Sequence, residues 1–73
     1  MDEVISIDPA ICNGKPVFRG TRITVETVFG FLSAGDSMEN VLEEFPSLKR
    51  SDIEAAFGYA SRLVGNRHLT EAV

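Results

Sequence analysis

The amino-acid sequence predicts a mostly α-helical domain, in which an N-terminal arm of short β-strands and turns precedes a three-helix helix-turn-helix core. Two observations carry this prediction. Proline, glycine and asparagine interrupt residues 1–24 before a helical period can develop, whereas residues 25–65 repeat apolar side chains at helical spacing. We therefore expect one domain across the 73 residues, with residues 66–73 as a short tail.

The arm is expected to contain one short strand followed by tight turns. Residues 4–7 form a β-prone run that Pro9 ends, and Asn13-Gly14 is a strong signal for a tight turn. Val17-Phe18 and Arg22-Ile23 are two further β-prone pieces. The run at 4–7 would leave an unpaired strand edge that a second copy or a partner could cover, so we predict a homodimer.

Each predicted helix has residues suited to starting it and ending it. In chain order these are Thr24 and Gly35, then Ser37 and Pro46, and for the third helix a start between residues 49 and 52 and an end at Gly65. Ser51 and Glu54 have the spacing of a capping box at this third start. The short second helix, a turn of about four residues and a longer third helix give the helix-turn-helix layout.

The third helix should present one continuous apolar face to the core. Its members are Ile53, Ala56, Phe57, Ala60 and Val64. Phe31 in the first helix and Tyr59 in the third fall off the predicted core faces, so each is a candidate for contact with a partner. Scattered exposure of single aromatic residues without a function is the alternative.

Composition limits the classes of function and location. Eleven acidic residues against seven Lys and Arg give a net charge of -4, so any contact with nucleic acid has to be local. The single cysteine, Cys12, cannot form a disulfide within the chain, which fits a reducing compartment. The N-terminus lacks the pattern of a signal peptide, and no apolar run approaches the ~20 residues of a membrane span. We expect a soluble, cytoplasmic protein.

Several short motifs together resemble one known family. They are Ile7-Asp8-Pro9, Gly14-Lys15-Pro16-Val17, Gly20-Thr21-Arg22-Ile23, Ala34-Gly35, Phe45-Pro46-x-Leu48 and Asp52-Ile53-x-Ala55-Ala56. This pattern is similar to the domain of unknown function family 433, over about residues 5 to 61. The resemblance implies a homeodomain-like helix-turn-helix fold. It also implies a VapB-type antitoxin that binds a PIN-like ribonuclease toxin, with operator DNA as a further candidate partner.

Candidate toxin-binding residues come from a stretch in which basic residues occur without acids. Residues 9–25 hold Lys15, Arg19 and Arg22 and no Asp or Glu. A guanidinium there could pair with two oxygens of the carboxylates that hold metal in a PIN-like nuclease. Arg19 is the first candidate and Arg22 the second, with Arg67 in the tail as a further donor. Alternatively, Arg22 holds the arm in place by pairing with Glu26.

Candidate DNA-binding residues lie where the third helix begins. Lys49, Arg50 and Ser51 occupy the part of a recognition helix that reaches base edges. The neighbouring acids Asp52 and Glu54 support the alternative of a capped, solvated helix end. DNA contact and simple capping both remain open from the sequence.

The sequence gives no signal for an enzyme or for a cofactor. His68 has no second ligand at metal or catalytic spacing, and Glu43 and Glu44 are adjacent and so diverge on a helix. Gly14-Lys15 lacks the other residues of a phosphate-binding loop. We therefore predict a binding protein. The alternatives to an antitoxin are a protein-interaction module and a transcription regulator outside toxin-antitoxin systems.

Overall fold

The computed structural model describes the backbone of residues 4–71 and the side chains of residues 4–65. Two short strands precede three helices. The elements are β1 (Ile5–Ser6), β2 (Val17–Phe18), α1 (Val25–Ser33), α2 (Met38–Glu44) and α3 (Arg50–Glu71). The predicted fold class is therefore confirmed: a mostly helical, three-helix fold with a two-stranded antiparallel sheet at its N-terminus.

The arm contains less strand than its β-prone residues suggested. β1 pairs antiparallel with β2, with Ile5 opposite Phe18, and it has two residues where the sequence predicted four. Arg22-Ile23 is not a strand, although Thr24 forms an isolated bridge with Val17. The tight turn at Asn13-Gly14 is confirmed as a short 3-10 turn, in which Cys12 also has a positive φ, of 51°.

The ends of α1 follow the sequence prediction. The Thr24 side chain accepts a hydrogen bond from the Thr27 N–H at 3.0 Å, so Thr24 is the N-cap. Gly35 has φ of +105°, and its N–H donates to the Leu32 carbonyl while the Asp36 N–H donates to the Phe31 carbonyl. These two bonds form a Schellman motif. Gly35 therefore ends the helix because its backbone conformation is one that side chains disfavour.

Replacing glycine by alanine should change the free energy of unfolding in opposite directions at Gly30 and Gly35, which are five residues apart. Gly35→Ala is expected to lower the free energy of unfolding by about 1–2 kcal/mol, because a Cβ is strained at positive φ. Gly30 lies within α1, where an added Cβ meets nothing within 4 Å, so Gly30→Ala should raise the free energy of unfolding by about 0.5–1 kcal/mol. Urea unfolding of the two variants beside the parent measures both. Equal shifts for the pair would contradict the assigned helix end.

The start of α3 differs from the predicted capping box. The helix begins at Arg50, and the Lys49 N–H donates to the Asp52 carboxylate at 2.9 Å. Asp52 therefore satisfies a backbone donor at the helix start, and the predicted capping box of Ser51 and Glu54 is wrong, because it lies two residues too late. A Lys at position 49 has no side-chain oxygen to accept from the first helical N–H groups, so this helix start has only the reciprocal contact, from the Lys49 N–H to Asp52.

The end of α3 also differs. The helix continues through Gly65 to Glu71, so the prediction of a tail beginning at residue 66 is wrong. Gly65 does not adopt the positive φ of a helix-ending glycine, and a glycine within a helix is tolerated at a cost of about 1 kcal/mol. Arg67 consequently belongs to a helix, and its side chain lies outside the residues that the structure describes.

The core forms where the arm and the first turns of α3 meet α1 and α2. Its buried members are Ile5, Val17, Phe18, Val25, Val28, Val41, Leu48, Ile53 and Ala56. Both strands of the arm thus contribute to the core. The predicted limits of α2 are confirmed. The Ser37 hydroxyl accepts a hydrogen bond from the Asn40 N–H at 3.1 Å at the start of the helix, and the helix ends before Pro46.

Four aromatic or aliphatic residues lie elsewhere than predicted. Phe57 and Val64 were expected in the core but are 46% and 64% exposed: Phe57 stacks on the half-buried Phe29 at the margin of the core, and at Val64 α3 has extended past the core. Phe31, expected at the surface, is half-buried and packs edge-on against Phe45 with ring centroids 5.6 Å apart. Tyr59 is also half-buried and packs against the core.

Candidate functional site

An open groove of about 710 Å³ lies between the arm and α3. It is lined by residues of the arm on one side and by basic and aromatic residues of α3 on the other. The lining residues are Ile5, Ser6, Ile7, Asp8, Pro9, Arg19, Tyr59 and Arg62. Ile7 is 59% exposed and provides an apolar surface at this site. The groove is thus an amphipathic surface that carries two guanidinium groups.

Arg19 is positioned by the end of β2. Its backbone N–H donates to the Val4 carbonyl at 2.7 Å, which extends the pairing of the two strands by one residue. Its side chain is exposed, and Nη2 lies 3.5 Å from the Ile5 carbonyl oxygen. The guanidinium therefore lies beside β1, on the groove. Arg19, the first candidate from the sequence, is one of the residues that the structure brings to this site.

Arg62 is a site residue that the sequence prediction missed. It lies in α3, three residues after Tyr59, so the two side chains lie on neighbouring positions of one helix face. The signal available in the sequence was this spacing of an aromatic and a basic residue. Arg19 and Arg62 each have further interactions within the chain, so a ligand of the groove has to compete with these contacts.

Asp8 is the acid among the lining residues, and its carboxylate has a local structural role. Oδ1 accepts a hydrogen bond from the Ala10 N–H at 2.9 Å, as in an Asx turn. The Ile11 N–H donates to the Asp8 carbonyl at 2.8 Å in the same turn. Asp8 therefore fixes the chain after β1, and among the described lining residues it is the acid that accompanies Arg19 and Arg62.

Arg22 lies away from the groove, and its expected pairing is wrong. Glu26 pairs instead with Lys15, whose Nζ lies 2.9 Å from Oε1. The hydrogen bond and charge of Glu26 raise the pKa of Lys15 above its ordinary value. Both side chains are mostly exposed, so this pair contributes little to stability. The exposed Arg22 contributes its carbonyl, which accepts from the Cys12 thiol at 3.4 Å.

The predicted DNA-binding residues lie together in an acidic neighbourhood. Lys49, Arg50 and Ser51 are all exposed at the start of α3. Arg50 Nη2 lies 3.6 Å from Oε2 of Glu39 in α2, and Asp52 accepts from the Lys49 N–H. Carboxylates beside these two basic residues reduce the local positive potential that attracts phosphate. DNA contact by these three residues stays a prediction.

Metal binding and membrane insertion have no structural support in the part of the chain that is described. No group of three or more His, Cys, Asp or Glu side chains is placed there to hold a metal ion. Nor does any helix within that part combine the length and apolar content needed to cross a bilayer. The described lining of the groove offers two guanidiniums, one carboxylate, a phenol ring and the edge of β1.

The three-helix core, the two-stranded arm and the groove between them define a small helix-turn-helix domain with a basic groove. The chain belongs to the family described as Protein of unknown function (DUF433), whose model matches residues 5–60. The resemblance in the motifs to family 433 is thereby confirmed.

Two relatives illustrate the extent of the similarity. An uncharacterized protein, y4eO, of Sinorhizobium fredii (strain NBRC 101917 / NGR234) is 43% identical over 58 residues, which are 80% of this chain and 26% of that protein. The crystal structure of a DUF433 member from Anabaena variabilis ATCC 29413 has a TM-score of 0.79 at 31% identity, over 84% of this chain and 60% of that chain. The chain thus spans about a quarter of the curated relative and about three fifths of the solved one.

Proposed function

We propose that the chain is an antitoxin-like protein that binds and neutralises a PIN-like ribonuclease toxin in the cytoplasm. The observation that carries this proposal is the groove on which Arg19 and Arg62 are both placed. Two guanidiniums in one concave surface match a partner with clustered carboxylates, because each guanidinium can donate two parallel hydrogen bonds to one carboxylate. A nuclease that holds divalent metal ions with Asp and Glu offers such a cluster.

The remaining lining residues favour a protein partner over a small anion. Ile7, Pro9 and Tyr59 give the groove an apolar and aromatic surface, and interfaces are enriched in aromatic residues and arginine. A chain with a net charge of -4 has no global attraction for acids, so the contact depends on this local pair. Neutralisation would follow when the bound chain blocks the metal-holding carboxylates.

Co-purification with the product of the neighbouring reading frame tests the proposal directly. We expect the neighbouring reading frame to encode a PIN-like nuclease with several acidic residues, and this nuclease to co-purify with the chain. The ribonuclease activity of the nuclease should fall in proportion to the amount of chain added. The nuclease alone, with Mg²⁺ or Mn²⁺, is the positive control. If a stable nuclease keeps its full activity at a tenfold excess of the chain, the antitoxin proposal is contradicted. That result would favour a general protein-interaction module.

Operator binding and dimerisation stay predictions and are not needed for this proposal. Lys49, Arg50 and Ser51 are exposed as operator contact requires, but Glu39 and Asp52 lie against the two basic residues. The edge of β1 remains a candidate dimer surface. The exposed Phe57 and Val64 of α3 add a second apolar surface that a partner or another copy could cover.

A further inference from the structure

The edge of β1 that faces away from β2 borders the groove, where Ile5 is 5% exposed. The hydrogen bonds of the arm determine which backbone groups this edge presents. Neighbouring residues of an antiparallel strand direct their N–H and C=O groups to opposite sides. The Arg19 N–H donates to the Val4 carbonyl, so the groups of Val4 point toward β2. Those of Ile5, the next residue, therefore point away from β2 and into the groove, which agrees with the 3.5 Å contact between its carbonyl and Arg19 Nη2.

From this placement we propose that an extended segment with acidic side chains binds the groove by adding a third strand to β1. Its backbone pairs with the N–H and C=O of Ile5, where the carbonyl exchanges its 3.5 Å contact with Arg19 Nη2 for an N–H of the segment. The carboxylates of the segment pair with Arg19 and Arg62. Strand addition gives affinity through main-chain hydrogen bonds and specificity through alternate side chains. This inference rests on the proposed function, because it specifies how a segment of the nuclease would dock.

Charge complementarity selects this occupant. The two guanidiniums beside the strand edge favour carboxylates over neutral or basic side chains. Side chains of an added strand alternate between two faces, so acids at every second position all point to the same side. β1 has only two residues, so the backbone contributes few hydrogen bonds and the acidic side chains must supply much of the affinity.

A peptide experiment isolates this mode of binding from nuclease inhibition. The probe is an acetylated heptapeptide of alternating valine and glutamate, titrated into the whole ¹⁵N-labelled chain. A peptide with lysine in place of glutamate controls for charge. Two further peptides carry N-methyl groups on the valines or on the glutamates, and each set removes the amide donors along one edge of the extended peptide.

We expect the acidic peptide to slow amide exchange at Ile5 at least tenfold at saturation. The Phe18 amide, which already donates to the Ile23 carbonyl at 3.0 Å, serves as the reference and should not change. One N-methylated peptide should bind at least tenfold more weakly than the parent peptide, and the other should bind equally well. Arg62→Ala should weaken binding of the acidic peptide at least tenfold, whereas Arg22→Ala, away from the groove, should not.

Three outcomes would overturn strand addition. They are no binding of the acidic peptide at millimolar concentration, binding without slower exchange at Ile5, and equal binding of the parent peptide and both N-methylated peptides. The nuclease assay is read separately. If the nuclease is inhibited but any of these outcomes is found, strand addition is refuted and the proposed function stands. If the Ile5 amide is protected but the nuclease is not inhibited, strand addition is supported and the proposed function is contradicted.

Discussion

Replacing both Arg19 and Arg62 by alanine is expected to weaken inhibition of the partner nuclease at least about 100-fold. Truncating one member of a desolvated charge pair costs about 2–5 kcal/mol of binding, and the two guanidiniums lie on one groove. Inhibition constants for the parent, both single variants and the double variant measure this effect. The single variants also show whether the two arginines act as one unit or independently.

Arg22→Ala is the matched control for this experiment. Arg22 is an exposed arginine of the same arm, and it does not line the groove. Its variant should inhibit as the parent does, and thermal unfolding measures whether every variant remains folded, because Arg19 and Arg62 both have further contacts within the chain. A folded double variant that inhibits like the parent would assign neutralisation to another surface of the domain.

Phe18→Ala is expected to leave a free energy of unfolding of about 0–2 kcal/mol, so that up to roughly half of the population unfolds at room temperature. Phe18 is 2% exposed in β2 and belongs to the main core cluster. Truncating a buried phenylalanine to alanine costs about 3–5 kcal/mol. A domain of this size has a net stability on the order of 5 kcal/mol. Circular dichroism during urea unfolding measures the loss.

Phe57→Ala is the same chemical change at a half-exposed position. The Phe57 ring stacks on Phe29 with centroids 5.4 Å apart, so we expect a cost of about 1 kcal/mol, mainly from this pair. A larger loss for Phe57→Ala than for Phe18→Ala would contradict the placement of the arm in the core. It would mean instead that the helices fold without β2.

Local signals in the sequence determined the helices and several of their ends. Thr24, Ser37 and Gly35 act through hydrogen bonds or backbone angles within a few residues, so their roles follow from the sequence without knowledge of the fold. The end of α3 was misjudged because a glycine stops a helix only when it adopts positive φ. Gly65 does not, and its residue type alone leaves both outcomes open.

Only the tertiary structure decided which charged groups form the site. The stretch without acids drew attention to Arg19, but Arg62 lies 43 positions later and reaches the groove because α3 packs against β1. Similarly, Glu26 lies four residues from Arg22 yet pairs with Lys15, eleven residues away, because the turn at residues 18–21 brings the start of α1 back beside β2. Helical periodicity and capping depend on neighbours in sequence, whereas these contacts depend on how the elements pack.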